Sequence, residues 1–592
     1  MLKLVKYLKP FIPLFILAVA GLFLQALCDL NLPNLMSRLV NGILGRETAE
    51  SSGLMQSSII VLGLHMLIIS LAGGGAAIGV NFLSTRIAAG LARNLRFEVF
   101  KKVESFSSDE FDTFSTASLI TRCTNDINQV QQLFVNGIRM SCYAPIMGIG
   151  GIIMAVRKAP AMSWIIVLAV IILILLVTLL ISIVLPRFRV IQNLVDRLNR
   201  IARETLNGLM VIQAFSAQEH EKKRFDSVNK DLTDVTRYVN QIMVVQMPGM
   251  QFIMNTAILL IIWTGAHSIA SSVMGVGDMM AFIQYTMQII FSFLFFSMMF
   301  VMVPRTAVSA ERIARVLNTE TSIRDPEKIS ESERSAPSVK RQGIELEFRD
   351  VCFRYKGAAE DALKNISFTA RRGATTAIIG PTGSGKSTIA NLILRFYDVS
   401  SGSIAVDGID IRELTQHELR SRIGYVPQKS MLLSGPVSFN LRYGKADATA
   451  EEIREGAELA QALDFIEERP GGFESNLSQG AANISGGQKQ RLSIARALVR
   501  GPELLIFDDS FSALDFATDA RLRAALDEKR KNVTRIIIAQ RVGTIRRADT
   551  IIVLEKGGIA GMGTHDELME SCREYREIAE SQIAGSRGEA AS

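Results

Sequence analysis

Cysteine is scarce in this chain and follows no pattern. Its five thiols, Cys28, Cys123, Cys142, Cys352 and Cys572, are scattered over 592 residues. They show neither the short paired spacings of a zinc site nor the framework of a disulfide-stapled domain, and they read as buried or membrane-facing thiols. Charge of one sign is equally thin: 65 basic against 58 acidic residues leave a net +7, too little to imply a nucleic-acid partner. No cleavable leader is expected. Lys3 and Lys6 precede an apolar stretch as they would in a signal peptide, but no convincing cleavage site follows and further long apolar runs do. Leu2 to Leu8 reads instead as a short interfacial helix entering a first membrane span.

Length alone predicts several domains, and the apolar residues are not shared evenly among them. From Met1 to about Leu317 there are repeated runs near or above the ~18 residues that indicate a bilayer span; the second half has the composition of an ordinary α/β domain. Six spans fit best, near 11–43, 56–85, 130–157, 162–186, 243–269 and 277–304. Basic residues cluster in the segments this arrangement places in the cytoplasm. Arg86, Arg93, Arg96, Lys101 and Lys102 form one group, Arg187, Arg189, Arg197, Arg200 and Arg203 another, and Lys222, Lys223 and Arg224 a third, as the positive-inside rule requires. Arg157 and Lys158, in an outer loop, are the exception. The helical pattern outruns the bilayer after spans two and four, over Arg86–Phe106 and Arg187–Ser216. Twenty extra residues project about 30 Å, so the turns near Ser108–Thr116 and Ala214–Glu219 are expected to contact ATP-binding domains.

Polar residues within spans are costly and point to function by default. Asp29, His65, Arg139, Gln284 and Gln288 are the candidates. Asp29 either serves such a function or reaches the outer interface. Arg139 either pairs with a carboxylate, snorkels towards the cytoplasm, or lines a cavity for an anionic substrate. The sixth span adds Phe291, Phe293, Phe295, Phe296, Met298, Met299, Phe300 and Met302, soft and flat side chains that suit an apolar pocket as well as lipid. Arg139, Gln284 and Gln288 are assigned to a substrate cavity.

Chemistry concentrates in the second half. The strand-like Thr375-Thr-Ala-Ile-Ile379 runs into Gly380-Pro-Thr382-Gly383-Ser384-Gly385-Lys386-Ser387-Thr388, and a helical pattern follows from Ser387 to Phe396. This is a phosphate loop in its required context. Glycines turn successive N–H groups onto phosphate oxygens, and the helix N-terminus adds partial positive charge. Lys386 is placed for the β- and γ-phosphates of ATP and the Ser387 hydroxyl for Mg²⁺. A second signature, Ile484-Ser485-Gly486-Gly487-Gln488, opens another helix, and the apolar run Leu504-Leu-Ile-Phe507 delivers Asp508 and Asp509.

Motifs in this order resemble the ATP-binding cassette (ABC) family, with six spans and long cytoplasmic arms similar to those of its exporters. Asn207-Gly-Leu-Met-Val-Ile-Gln-Ala-Phe215 is similar to the family's second-arm sequence. The expected fold is a six-span α-helical membrane domain plus an α/β phosphate-loop cassette. The boundaries are 1–317 for the membrane domain, 318–342 for a polar linker, 343–582 for the cassette and 583–592 for a polar tail. The resemblance implies that Tyr355 stacks on adenine, that Gln428 senses the γ-phosphate and Mg²⁺, and that Asp508 holds the metal through water. It also implies that Ser485 to Gln488 grip ATP bound by a second cassette, and that Asp515 lies in the loop crossing between the two.

Two departures stand out. The family usually places Glu where this chain has Asp509 and His where it has Gln540, and none of the five histidines can take that place in the motif order. Asp509 keeps the charge but draws the carboxylate back by roughly an ångström, and a misplacement of ~1 Å can cost on the order of a hundredfold in rate. Gln540 hydrogen-bonds but carries no titrating proton near neutral pH. Gln479-Gly480-Ala481, where many relatives carry Glu, is a further departure. That last departure bears on cross-talk with the membrane arms; Asp509 and Gln540, with Asp508-Asp-Ser-Phe-Ser-Ala-Leu-Asp515, resemble the degenerate half of a heterodimeric bacterial multidrug exporter. The resemblance implies a partner carrying Glu and His, and movement of amphipathic or hydrophobic compounds across the cytoplasmic membrane. The alternatives are a homodimeric slow exporter of lipid or peptide and a regulatory ATP-binding subunit that moves nothing.

Overall fold

Side chains of Leu, Ile, Val and Phe in runs longer than any soluble core needs become helices with apolar surface on all sides, because only an unbroken helix satisfies its backbone in lipid. The computed structural model describes residues 2–44, 52–271, 273–326 and 343–589. They fall into two units, one made of Met1–Glu104 with Thr116–Thr319 and the other of Ser105–Ser115 with Glu320–Ser592.

Among the described residues the first unit has six helices long and apolar enough to cross a membrane: Lys6–Ile43, Ile59–Glu104, Thr116–Lys158, Pro160–Asn207, Gln218–Ala270 and Val276–Phe296. The short N-terminal piece is a 3₁₀ helix, Leu2–Phe11. Helix Ser52–Glu104 has 53 residues and Ser163–Asn207 has 45, so at 1.5 Å per residue both overrun a ~30 Å hydrocarbon layer. The third and sixth spans pack closely because glycine faces the contact. A Cβ on Gly151 would lie 2.9 Å from Ile289 Cγ1, and one on Gly148 would lie 2.9 Å from Ser292 Oγ, the small-residue approach typical of membrane helices. Around that contact Leu30, Met147, Leu173, Ile261, Phe282 and Tyr285 form the unit's buried core.

Lys158, the exception to the charge rule, has a structural reason. Its Nζ lies 2.9 Å from Asp278 Oδ1 and donates to Ser37 Oγ at 3.1 Å. Ser37 Oγ donates to the same carboxylate at 2.6 Å and Asn41 Nδ2 at 3.3 Å. A cation paired in this way ties the ends of spans one, three and six.

In the second unit, five strands buried on both faces run parallel and read as continuous apolar stretches. The six-stranded sheet runs Gly558–Gly563, Thr550–Glu555, Thr375–Ile379, Thr534–Ile538, Leu504–Asp508, Ile423–Val426, with only Gly558–Gly563 antiparallel to its neighbour. A four-stranded antiparallel sheet, Leu363–Ala370, Leu346–Phe353, Ser401–Val406, Ile409–Asp410, packs beside it. The last helix runs Arg573–Glu589, so a boundary at 582 falls inside it; 590–592 of the polar tail and 327–342 of the linker lie outside the described residues.

Ser105–Ser115 belongs to this unit by contact. Helix Ser108–Phe114 is closed by a capping box in which Glu110 accepts from the Ser107 N–H at 2.9 Å. Asp112 accepts from the Tyr397 hydroxyl at 3.0 Å, and Glu110 from the Ser322 N–H at 3.2 Å. The corresponding turn on the other arm, Leu209–Ala214, buries no residue; Met210 is 85% and Phe215 79% exposed.

Candidate nucleotide site and membrane cavity

Four adjacent parallel strands end on one edge, and each end supplies part of a single cleft. Thr375–Ile379 leads into the phosphate loop, Thr534–Ile538 to Gln540, Leu504–Asp508 to Asp508 and Asp509, and Ile423–Val426 to Gln428. Open α/β sheets place ligands at such carboxyl edges. The cavity there measures about 340 Å³ and is lined by Tyr355, Thr382, Gly383, Gly385, Lys386, Ser387, Thr388, Gln428, Asp508, Asp509 and Gln540, with Ala362 and Ile538 in addition. Eleven of the residues singled out in the sequence therefore share one wall, while Gly380 and the buried Ser384 shape the loop behind it. Gly385 has φ +98°, and a Cβ there would lie 2.6 Å from Leu363 Cδ2 and 2.8 Å from Ala362 O, so only glycine fits.

Lys386 Nζ donates to Gly380 O at 2.8 Å and Pro381 O at 2.7 Å. Burial pushes its ammonium below the usual range, against the opposing pull of Asp509 and Asp508. Ser387 Oγ donates to Asp508 Oδ1 at 2.9 Å, and Asp508 is 4% exposed. Burial, with Asp509 close by, lifts the Asp508 carboxyl above its ordinary value, while Ser387 and Lys386 pull the other way. One hydroxyl and one carboxylate at the edge of a polar cleft fit Mg²⁺, which takes few protein ligands and keeps its waters. Held by Ser387 and Asp508, the ion would supply positive charge against the phosphates of ATP. The Tyr355 hydroxyl lies 3.0 Å from Thr388 Oγ1, and its ring packs edge-on to Phe353 and Tyr397.

Asp509 has φ +46°, in the left-handed region that Asp tolerates better than most residues. The turn is held by its own N–H on Ile538 O at 2.9 Å and by Ser512 Oγ on its carbonyl at 2.8 Å. Both departures from the family pattern meet at one atom. Asp509 Oδ2 accepts from Gln540 Nε2 at 2.9 Å and from Gln428 Nε2 at 3.2 Å. Burial raises the Asp509 carboxyl above its usual value, opposed by Gln428, Lys386 and Arg541.

The other motif residues lie away from this cleft. Ser485 caps helix Gly486–Val499, accepting from the Gln488 N–H at 3.3 Å while Gln488 Oε1 accepts from the Ser485 N–H at 3.0 Å. A Cβ on Gly486 would meet nothing within 4 Å, whereas Gly487 faces Ala513 O. Asp515 caps helix Phe516–Lys529 through the Thr518 N–H at 2.9 Å.

A second cavity, of about 960 Å³, opens within the membrane unit. Asn125, Asn128, Gln129 and Gln132 line it together with Leu180, Gln246, Met298, Met302 and Arg305. Arg139, Gln284 and Gln288, expected in a substrate cavity, are not among the residues that line this one. Arg139 lies 5.8 Å from the centre of the Tyr143 ring, and the Tyr143 hydroxyl donates to Asp29 Oδ2 at 2.5 Å. Gln288 Nε2 donates to Asp29 O at 3.2 Å, and Gln284 Nε2 reaches Met36 Sδ at 3.8 Å. Tyr143 and Gln288 thus tie the third and sixth spans to Asp29 on the first, while Arg139 lies over a ring of its own helix. The amides Asn125, Asn128, Gln129 and Gln132 that do line the cavity follow i, i+3, i+4, i+7 spacing, a one-face helical signal; a span drawn from residue 130 left three of these four outside.

Residues 15–293 match the family model described as the ABC transporter transmembrane region, and 363–512 the one described as ABC transporter. The chain is 37% identical over 583 residues to an uncharacterized ABC transporter ATP-binding protein of Mycobacterium tuberculosis, covering 98% of this chain and 97% of that one. It is 30% identical over 592 residues to the ATP-dependent lipid A-core flippase of Pseudomonas aeruginosa, covering 97% and 95%. A solved structure of a bacterial Atm1-family ABC exporter with ATP bound has the same fold, with a TM-score of 0.77 over 95% of this chain and 96% of that one at 24% identity. A multi-pass membrane half joined to a phosphate-loop ATPase defines an ATP-driven transporter. The chain belongs to the ABC transporter family, on the exporter side of it.

Proposed function

We propose that this chain is the weakly hydrolysing half of a heterodimeric exporter in a bacterial cytoplasmic membrane, driving amphipathic or hydrophobic compounds outward. The observation that carries the reading is the double amide hold on Asp509 Oδ2 by Gln540 and Gln428. A general base has to reach the attacking water at about 3 Å, and this carboxylate is one methylene short and engaged on one oxygen. Its partner at 540 is a group that cannot take a proton. ATP held by Tyr355, the phosphate loop, Lys386 and Ser387 then acts chiefly as a clamp. The partner supplies the signature that completes this site, and Ser485 to Gln488 complete the partner's, where Glu and His carry out turnover. Exposed Met210 and Phe215 on the second arm support a docking partner, since apolar side chains clustered on a soluble tip mark interaction sites.

The substrate class rests on the larger cavity. Its Leu and Met side chains suit an apolar body, and its amides with Arg305 suit a polar or anionic head. A homodimeric lipid exporter is the second reading, favoured by the relatives named as lipid A-core flippases. Inside-out vesicles separate the two. Uptake of a fluorescent amphiphile is expected only when this chain is paired with a half-exporter bearing Glu and His, and is expected to fall when that Glu becomes Gln. Equal uptake by this chain alone refutes the heterodimer.

A further inference from the structure

The final helix, Arg573–Glu589, is anchored along one face. Tyr575 is fully buried with its hydroxyl 2.7 Å from His565 Nδ1, and Ala579 is 2% exposed. Gln582 follows them seven and three residues on, on that same face. Its amide is spent entirely on one short stretch of backbone. Nε2 donates to Gln540 O at 2.7 Å, and Oε1 accepts from the Val542 N–H at 2.8 Å. The Val542 N–H opens helix Val542–Ile545, where the first N–H groups have no partner within the helix. Arg541, between the two clamped residues, turns its guanidinium over the Phe516 ring at 5.6 Å, so the segment is gripped on its backbone and its middle side chain is free to point elsewhere.

That gripped segment carries Gln540, whose side chain holds Asp509 Oδ2 at 2.9 Å. A continuous series of hydrogen bonds thus runs from the C-terminal helix through Gln540 to the carboxylate in the nucleotide cleft. Gln540 follows the last residue of its strand by two and lies outside the sheet ladder, so its backbone needs an external hold.

We propose that Gln582 is a positioning residue for the nucleotide site: by fixing the backbone at Gln540 it fixes the amide that orients Asp509. The inference rests on the reading of Asp509 and Gln540 as the groups facing the γ-phosphate, and not on the identity of the partner chain. It makes the C-terminal helix part of the ATP site's working structure, so that whatever displaces this helix loosens the site.

The test is a double-mutant cycle on the full-length chain in lipid nanodiscs. Gln582→Met keeps the shape and loses both bonds, while Gln582→Glu keeps the acceptor for Val542 and loses the donor to Gln540. Single-turnover hydrolysis of MgATP and equilibrium binding of a fluorescent ATP analogue are read together with Tm. Gln582→Met is expected to change the single-turnover rate by about fivefold to tenfold, the scale of one lost hydrogen bond, with Glu in between. In a Gln540→Ala background the same substitution is expected to add no more than about twofold. An equal change in that background, or no change in the Gln540 protein, overturns the proposal. A Gln540→Ala protein with unaltered binding and turnover removes the underlying reading along with it. Brisk multiple turnover by the parent chain removes only the unlike-partner proposal and leaves the coupling of 582 to 540 measurable. Should Gln582→Met fail to fold, the Glu variant carries the cycle alone.

Discussion

Lengthening one side chain by one methylene should restore much of the missing chemistry. In Asp509→Glu the carboxylate advances by roughly 1 Å, the displacement that separates productive from unproductive placement of a catalytic group and is worth on the order of a hundredfold, or about 2.7 kcal/mol of barrier. Three features of the cleft favour the gain. The backbone turn is held by Ile538 O and Ser512 independently of the side chain. Gln428 and Gln540 are flexible amides that can follow the advancing oxygen, and Lys386 stays available for the phosphates. The opposing cost is a longer side chain at φ +46°, at most about 1–2 kcal/mol and felt in stability rather than rate. The assay is phosphate release by the full-length chain in nanodiscs, with Lys386→Ala as the blank and ATP affinity measured in parallel. A rise of about a hundredfold at unchanged affinity is expected. A rate within twofold of the parent, with binding intact, would refute the view that reach limits hydrolysis here.

Further predictions concern other parts of the molecule. Asp407 is 7% exposed and accepts from Arg422 at 2.5 Å, Arg372 at 2.7 Å and the Glu345 N–H at 3.0 Å. Burial pushes its carboxyl up, but the arginines and the amide outweigh it and hold the group below the ordinary range. Its contribution is therefore complete above the unfolded carboxylate pKa of about 3.9 and is lost as pH falls below that value. Asp407→Asn should cost the cassette about 3 kcal/mol near neutrality and flatten this acid limb, read by calorimetry. The Tyr397 hydroxyl, whose pKa burial pushes up to about 12, holds Asp112 at 3.0 Å. Tyr397→Phe should loosen helix Ser108–Phe114 by about 1 kcal/mol and reduce substrate stimulation of ATPase activity at unchanged ATP affinity. Arg305→Ala should raise KM several-fold for an anionic amphiphile and leave a neutral one nearly unaffected, measured by vesicle uptake.

The features most legible in the sequence are those whose physics is local. Thr375–Ile379, Leu504–Asp508 and Thr534–Ile538 show as short apolar runs because both faces of their sheet are covered. The phosphate loop shows because Gly383 and Gly385 occupy conformations that other residues resist. The membrane helices show because lipid demands unbroken apolar length. What could not be seen depends on chain segments far apart in sequence. Lys158 is out of place until Asp278 is beside it. Gln582 looks like any polar residue of a terminal helix until it is found on the backbone at Gln540 and Val542. Gln288 attracts notice as a polar residue inside a span, yet its amide donates to Asp29 O on another helix, and Arg139 lies over Tyr143 of its own helix. The amide row from Asn125 to Gln132 was readable as a helical face, and was hidden by a span boundary drawn through it.

ATP turnover of this chain purified by itself in lipid nanodiscs, with its oligomeric state, tests the central claim most directly. The account predicts tight MgATP binding with little hydrolysis, and brisk activity only once a second half-exporter carrying Glu and His is supplied. Fast, cooperative hydrolysis by a homodimer would contradict it, and would show that Asp509 and Gln540 suffice for turnover.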